Sequence, residues 1–152
     1  MKQLSELPRI QEIQVSYKRN YSKENINSSS QAFETCKQVF SLAEANISLK
    51  EYFFILLLNR SNKVIGFYKL SEGGLSGTVA DLRLAFSVAL KTLASAMIIM
   101  HNHPSGNVKP SDCDLKLTRK FKQAGEILDI KVLDSLVIAE DEFLSFADEG
   151  LM

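Results

Sequence analysis

The sequence holds only two cysteines, Cys36 and Cys113, and no excess of either charge: eighteen Lys and Arg balance eighteen Asp and Glu. Two scattered cysteines exclude a disulfide framework. A net charge of zero gives no global attraction to nucleic acid or to an anionic membrane. Long apolar runs are missing too. The longest, such as 53–58 and 96–100, are far too short to cross a bilayer. Met1 is followed by a polar stretch rather than a signal peptide. No internal repeat and no low-complexity tract is visible. These absences predict a cytoplasmic, reduced, soluble protein. What is present is an ordinary globular composition, 45% hydrophobic and 24% charged, in 152 residues, the length of one domain. A chain of this size buries roughly two-thirds of its unfolded surface, so one proper core is expected.

Residues 1–30 are polar, with a short strand suggested by Ile10, Ile13, Val15 and Tyr17. The run Ser28–Ser30 reads as a loop ending in a helix cap. An amphipathic helix follows over 31–46, with Phe33, Val39, Phe40, Leu42 and Ala43 inward. Residues 52–58 are uniformly apolar, the pattern of a strand buried on both faces. A turn at 59–62 and a second strand over 63–68 make a hairpin. Thr78 stands where it caps a helix over 79–94, with Asp81 at the capping-box position. That helix is apolar almost all round, which predicts burial between layers. A short strand over 96–100 comes next. A helix from Pro110 and Ser111 to Ala124, ended by Gly125, should bury Cys113, Leu117, Phe121 and Ala124. Strands over 130–138 and 143–146 complete the chain. The alternation of strands and helices predicts an α/β or α+β domain.

The two histidines stand two residues apart. In an extended chain such residues point to the same side, so His101 and His103 aim both imidazoles at one place. That place lies just past an apolar strand, where open α/β sheets hold their ligands. Asp114 follows in the first turn of the next helix. Two imidazoles and a carboxylate match the three protein ligands of a catalytic zinc site. Ser111 and Asp114 also have capping-box spacing, with Asp in place of Glu. Cys113, next to Asp114, belongs to the apolar face rather than to the site. Lys109, Lys116, Arg119, Lys120 and Lys122 form a basic cluster, read as a solvated helix face rather than a nucleic-acid patch. Residues 123–152 offset it with eight acids against Lys131.

The string His101-Asn-His-Pro-Ser-Gly106, followed by Pro110-Ser111-x-x-Asp114, resembles the JAMM (MPN+) metalloprotease motif, and more closely the RadC-like JAB domain proteins. The likeness continues in Asp129-Ile-x-Val-Leu-Asp134 and Ser145-Phe-Ala-Asp-Glu-Gly150. It covers residues 50–150 as one domain, with 1–49 as an N-terminal extension. It implies a mixed sheet packed by helices, similar to the cytidine deaminase-like architecture. It also implies a zinc-dependent hydrolase cleaving peptide or isopeptide bonds, with His101, His103 and Asp114 as zinc ligands. Glu51, heading the first core strand, is implied as the proton shuttle rather than a ligand. Ser111 is implied as a hydrogen-bond donor to the oxyanion or the water. Glu72 is the alternative base. The partner implied is a peptide or protein substrate; no membrane is expected, and the neutral charge argues against nucleic acid. Two features depart from the pattern. The 49 residues ahead of Lys50 are too few for the helix-hairpin-helix region of longer relatives, and Ser135 stands where many relatives have histidine. A non-catalytic scaffold and a nucleic-acid-associated factor are the other classes to be weighed.

Overall fold

The structure, a computed structural model, describes residues 10, 12–18, 20, 22–74 and 79–152. A five-stranded mixed sheet lies between one helix on one face and two on the other. The elements are α1 (Ser29–Leu42), β1 (Tyr52–Leu58), β2 (Val64–Glu72), α2 (Leu82–Lys91), β3 (Ala96–Asn102), α3 (Asp112–Leu128), β4 (Lys131–Ile138) and β5 (Phe143–Ser145). The strand order is β2-β1-β3-β4-β5. Only β3 and β4 run parallel, joined by the crossover helix α3, as parallel neighbours require. Among the described residues no helix is long and apolar enough to cross a membrane.

Every residue of β1 is buried, because both of its faces are covered. Tyr52, Phe54, Leu56 and Leu58 join the core under α1, with Cys36, Val39 and Phe40. Phe53, Ile55 and Leu57 join the core under α2 and α3, with Phe86 and Phe121. Strand β3 divides in the same way, Ile98 and Met100 to one side and Met97 and Ile99 to the other. The period of two thus serves two cores at once.

Several expectations are corrected. The described residues among 10–17 form no strand, and Ile10 and Ile13 are about nine-tenths exposed. The alternation of Ile13, Val15 and Tyr17 finds no neighbouring strand to pair with among the described residues. Helix α1 ends at Leu42, which points outward. Helix α2 begins at Leu82, capped by Asp81, whose carboxylate accepts from the Arg83 and Leu84 amides. Thr78 lies outside the described residues. Helix α2 is buried on one face only, through Ala85, Phe86 and Ala89, while Leu84 and Leu90, with Leu93 just beyond its end, are exposed.

Helix α3 runs through Gly125 and stops at Asp129, whose left-handed backbone closes it. Its buried face is Thr118, Phe121 and Gly125, with Leu117 and Ala124 partly covered. Cys113 is exposed. Gly125 sets this rotation, because a Cβ there would stand 2.3 Å from the Ile130 carbonyl oxygen. Gly125→Ala is therefore expected to lower stability by about 1–3 kcal/mol through overpacking. That exceeds the gain of roughly 1 kcal/mol in helix propensity. Denaturant unfolding of the variant checks it.

Candidate metal centre

The topology brings distant residues to one end of the sheet. Strand β1 is antiparallel to β3, with Phe53 opposite His101. Two residues further along the same register, Glu51 comes opposite His103. The crossover from β3 to β4 starts its helix above the same strand end, which puts Asp114 in reach. Among the described residues, ligand atoms of Glu51, His101, His103 and Asp114 all lie within 4.8 Å of one another.

Three of the four make a tight group. His101 Nε2 and His103 Nε2 are 3.2 Å apart. Asp114 places Oδ1 3.2 Å from His101 Nε2 and Oδ2 3.1 Å from His103 Nε2. Zinc–ligand bonds of about 2.0–2.1 Å at tetrahedral angles separate two ligand atoms by about 3.3 Å. The observed spacing fits such an ion. The donor chemistry fits as well. His103 donates its Nδ1–H to the Asn107 carbonyl at 2.7 Å, so its Nε2 presents a lone pair. Two ring nitrogens and a carboxylate facing one point need a proton or a cation between them. These residues could hold a metal ion.

Packing fixes each member. His101 lies within β3, 2% exposed, with its ring stacked on Phe53 at 5.7 Å. Among the described residues its buried Nδ1 has no partner, so the Nε2 edge is the one left for chemistry. Asp114 is aimed by the cap of α3. Its Oδ2 accepts from the Ser111 amide at 2.8 Å, and its own amide donates to Ser111 Oγ at 3.1 Å. The capping box and the candidate ligand are thus the same carboxylate, and Ser111 keeps its hydroxyl proton for another acceptor.

Glu51 stands apart from these three. No hydrogen bond or ion pair joins its carboxylate to them, and its carbonyl accepts from the Gly73 amide at 2.8 Å. Burial raises its pKa, against the pull of the two imidazoles. Glu72 is exposed, paired with Lys69 at 3.4 Å, and outside the group. Ser135 is buried against Thr118, on β4. Lys109, Lys116, Arg119 and Lys120 are exposed.

Asn102 is a residue that the sequence reading passed over. Fully buried between the two histidines, it donates to the Ile47 and Lys50 carbonyls at 2.9 and 2.8 Å and accepts from the Tyr52 amide at 2.8 Å. A second polar residue, next to His101 at the end of a buried strand, was the signal available. A cleft of about 500 Å³ opens on His103, between the Pro104–Gly106 turn and Ile47 on one side and the turn at 139–142 on the other.

The charges of the cluster set a pH dependence. The hydrogen bond to Asp114 raises the His103 pKa above its ordinary 6.5. Burial alone would raise Asp114, but its hydrogen bonds with both imidazoles outweigh that and hold it far below 3.8. The His103 contribution is complete below about pH 6.5 and is lost as pH climbs through its raised value; the Asp114 contribution is present above about pH 4 and is lost in acid. Metal-free protein should therefore draw most stability from this cluster between about pH 4 and 6.5, and metal uptake should rise with pH as the His103 proton leaves. Thermal unfolding across pH, with and without zinc, measures both.

The chain resembles known proteins in sequence. The RadC-like JAB domain model matches residues 26–151. A UPF0758 protein of Flavobacterium johnsoniae is 52% identical over 101 residues, 66% of this chain and 44% of that protein. One of Porphyromonas gingivalis is 47% identical over 104 residues, 68% of this chain and 46% of that protein. One of Geotalea uraniireducens is 39% identical over 135 residues, 89% of this chain and 57% of that protein. The chain spans about half the length of the curated relatives it matches. The family match takes in the whole sheet and all of Glu51, His101, His103, Ser111 and Asp114, and the chain belongs to the RadC-like JAB domain family.

Proposed function

We propose that this chain is a zinc-dependent hydrolase that cleaves a peptide or isopeptide amide bond with water. The observation that carries the reading is the convergence of two imidazole nitrogens and a carboxylate at 3.1–3.2 Å, with a second, partly buried carboxylate one step behind. His101, His103 and Asp114 would hold the ion and leave a fourth position open. Zinc there supplies a Lewis acid for the scissile carbonyl and lowers the pKa of water.

The chain's own residues do the rest. Glu51 takes a proton from the attacking water and returns it to the leaving nitrogen, so that amide and water become carboxylic acid and amine. Burial raises its pKa, which makes it a stronger base than an ordinary carboxylate. Ser111 donates its free hydroxyl proton to the oxygen that gains charge. The cleft beside His103 receives the peptide or protein substrate. Two free cysteines, one of them exposed, suit a reducing cytoplasm.

The test is hydrolysis in ¹⁸O-water of a mixed peptide pool and of isopeptide-linked peptides. It is read by mass spectrometry, with zinc, with chelator, and with zinc restored. Cleavage that puts ¹⁸O into the new carboxylate, stops with chelator and returns with zinc is expected. Cleavage that continues in chelator contradicts the proposal. Zinc uptake with no cleavage of either class favours the non-catalytic scaffold.

A further inference from the structure

The Gly73 amide holds the Glu51 carbonyl, but among the described residues little holds the side chain. Its carboxylate has no bonded partner in the cluster, and the chain ahead of it, from Ala45 to Lys50, is neither helix nor strand. A proton shuttle must nevertheless be fixed to within about 0.5 Å. Something outside the cluster has to supply that precision.

We propose that Asn102 is the positioning residue of Glu51, clamping the two peptide units that flank it. The inference rests on the reading of Glu51 as the base. Along β3, Asn102 points away from the side that carries His101 and His103. From there its amide reaches only the segment 47–52. One Nδ2 proton goes to the Lys50 carbonyl, just before Glu51, and Oδ1 takes the Tyr52 amide, just after it. The second Nδ2 proton goes to the Ile47 carbonyl and pins the loop behind. Both donors and the acceptor are used, as a fully buried amide requires. No hydrophobic residue could replace this, because only a side chain that both donates and accepts can bridge a carbonyl and an amide two residues apart. The same strand thus presents two imidazoles on one face and fixes their companion carboxylate from the other.

The test uses the full chain loaded with Co(II), with the Zn(II) form as diamagnetic reference and ¹³C in the glutamate carboxyls. The Glu51 signal is assigned by its loss in Glu51→Gln. In the unmodified chain it should be the glutamate signal most shifted by cobalt. Asn102→Asp keeps the acceptor for Tyr52 and removes both donors. Asn102→Ser is smaller and neutral, and serves if the buried charge of the first prevents folding. At one cobalt per chain, loosening by about 1 Å, enough to spoil a catalytic constellation, lowers a shift that falls with the cube of distance by roughly a third. The His103 ring signals should stay in place. A Glu51 shift unchanged in the variants, even with a lower melting temperature, overturns the proposal and leaves Asn102 as a stabilising residue only. An unmodified chain that takes up no cobalt, or whose Glu51 signal is unshifted, overturns the metal-centre reading beneath it and this proposal too.

Discussion

Glu51→Gln should leave zinc bound and lower amide turnover by at least about 10²-fold, the usual scale for a general base. The amide side chain keeps the size of the carboxylate and cannot take a proton from water. Because Glu51 lies outside the tight group of three, its neutralisation removes no ligand atom from that group. Glu72→Gln is the control. That carboxylate is exposed, paired to Lys69 and outside the cluster, so activity should change little. Parallel zinc titration and turnover measurements on both variants decide the matter. A dead Glu72→Gln beside an active Glu51→Gln would show that the acids were assigned the wrong way round.

The second large effect concerns the ligands. His101→Ala, His103→Ala and Asp114→Ala should each lower zinc affinity by more than the roughly 10–100-fold that loss of an outer-shell partner costs. Asp114 differs from the histidines in a measurable way. It also closes the cap of α3, so Asp114→Ala should cost about 1 kcal/mol of stability besides. Asp114→Asn keeps an oxygen for the Ser111 amide and loses the charge. It should recover much of the stability and little of the zinc binding. Competition with a chromophoric chelator and thermal unfolding separate the two losses. His103→Ala binding zinc as well as its parent would remove the ligand assignment.

The parts of this fold that the sequence announces are those where local pattern and tertiary demand coincide. The apolar run of β1 needs cover on both faces and receives it. The period of two aligns His101 with His103, and Ser111 and Asp114 signal their helix start. Elsewhere the decisive contact is distant. Gly125 reads as a helix stop, yet it is small because β4 passes over it, and that approach turns Cys113 outward. Thr78 and Asp81 are both good caps, and local chemistry does not choose between them. The alternation of Ile13, Val15 and Tyr17 describes a strand only if a partner strand lies alongside. In the site, the nearness of Glu51 to His103 depends on β1 lying beside β3, although β2 and α2 come between them in the chain. Asn102 is legible as a buried polar residue, but its partners, three backbone groups some fifty residues upstream, are not.

The central claim is that two imidazoles and Asp114 form a working metal centre. The most direct measurement is the zinc content of the unmodified chain, stripped with chelator and re-equilibrated with zinc at about pH 7.5, above the ordinary imidazole range. One zinc per chain, lost on acidification and absent from His103→Ala, is the predicted result. A chain that stays folded at that pH and takes up no zinc would contradict the account.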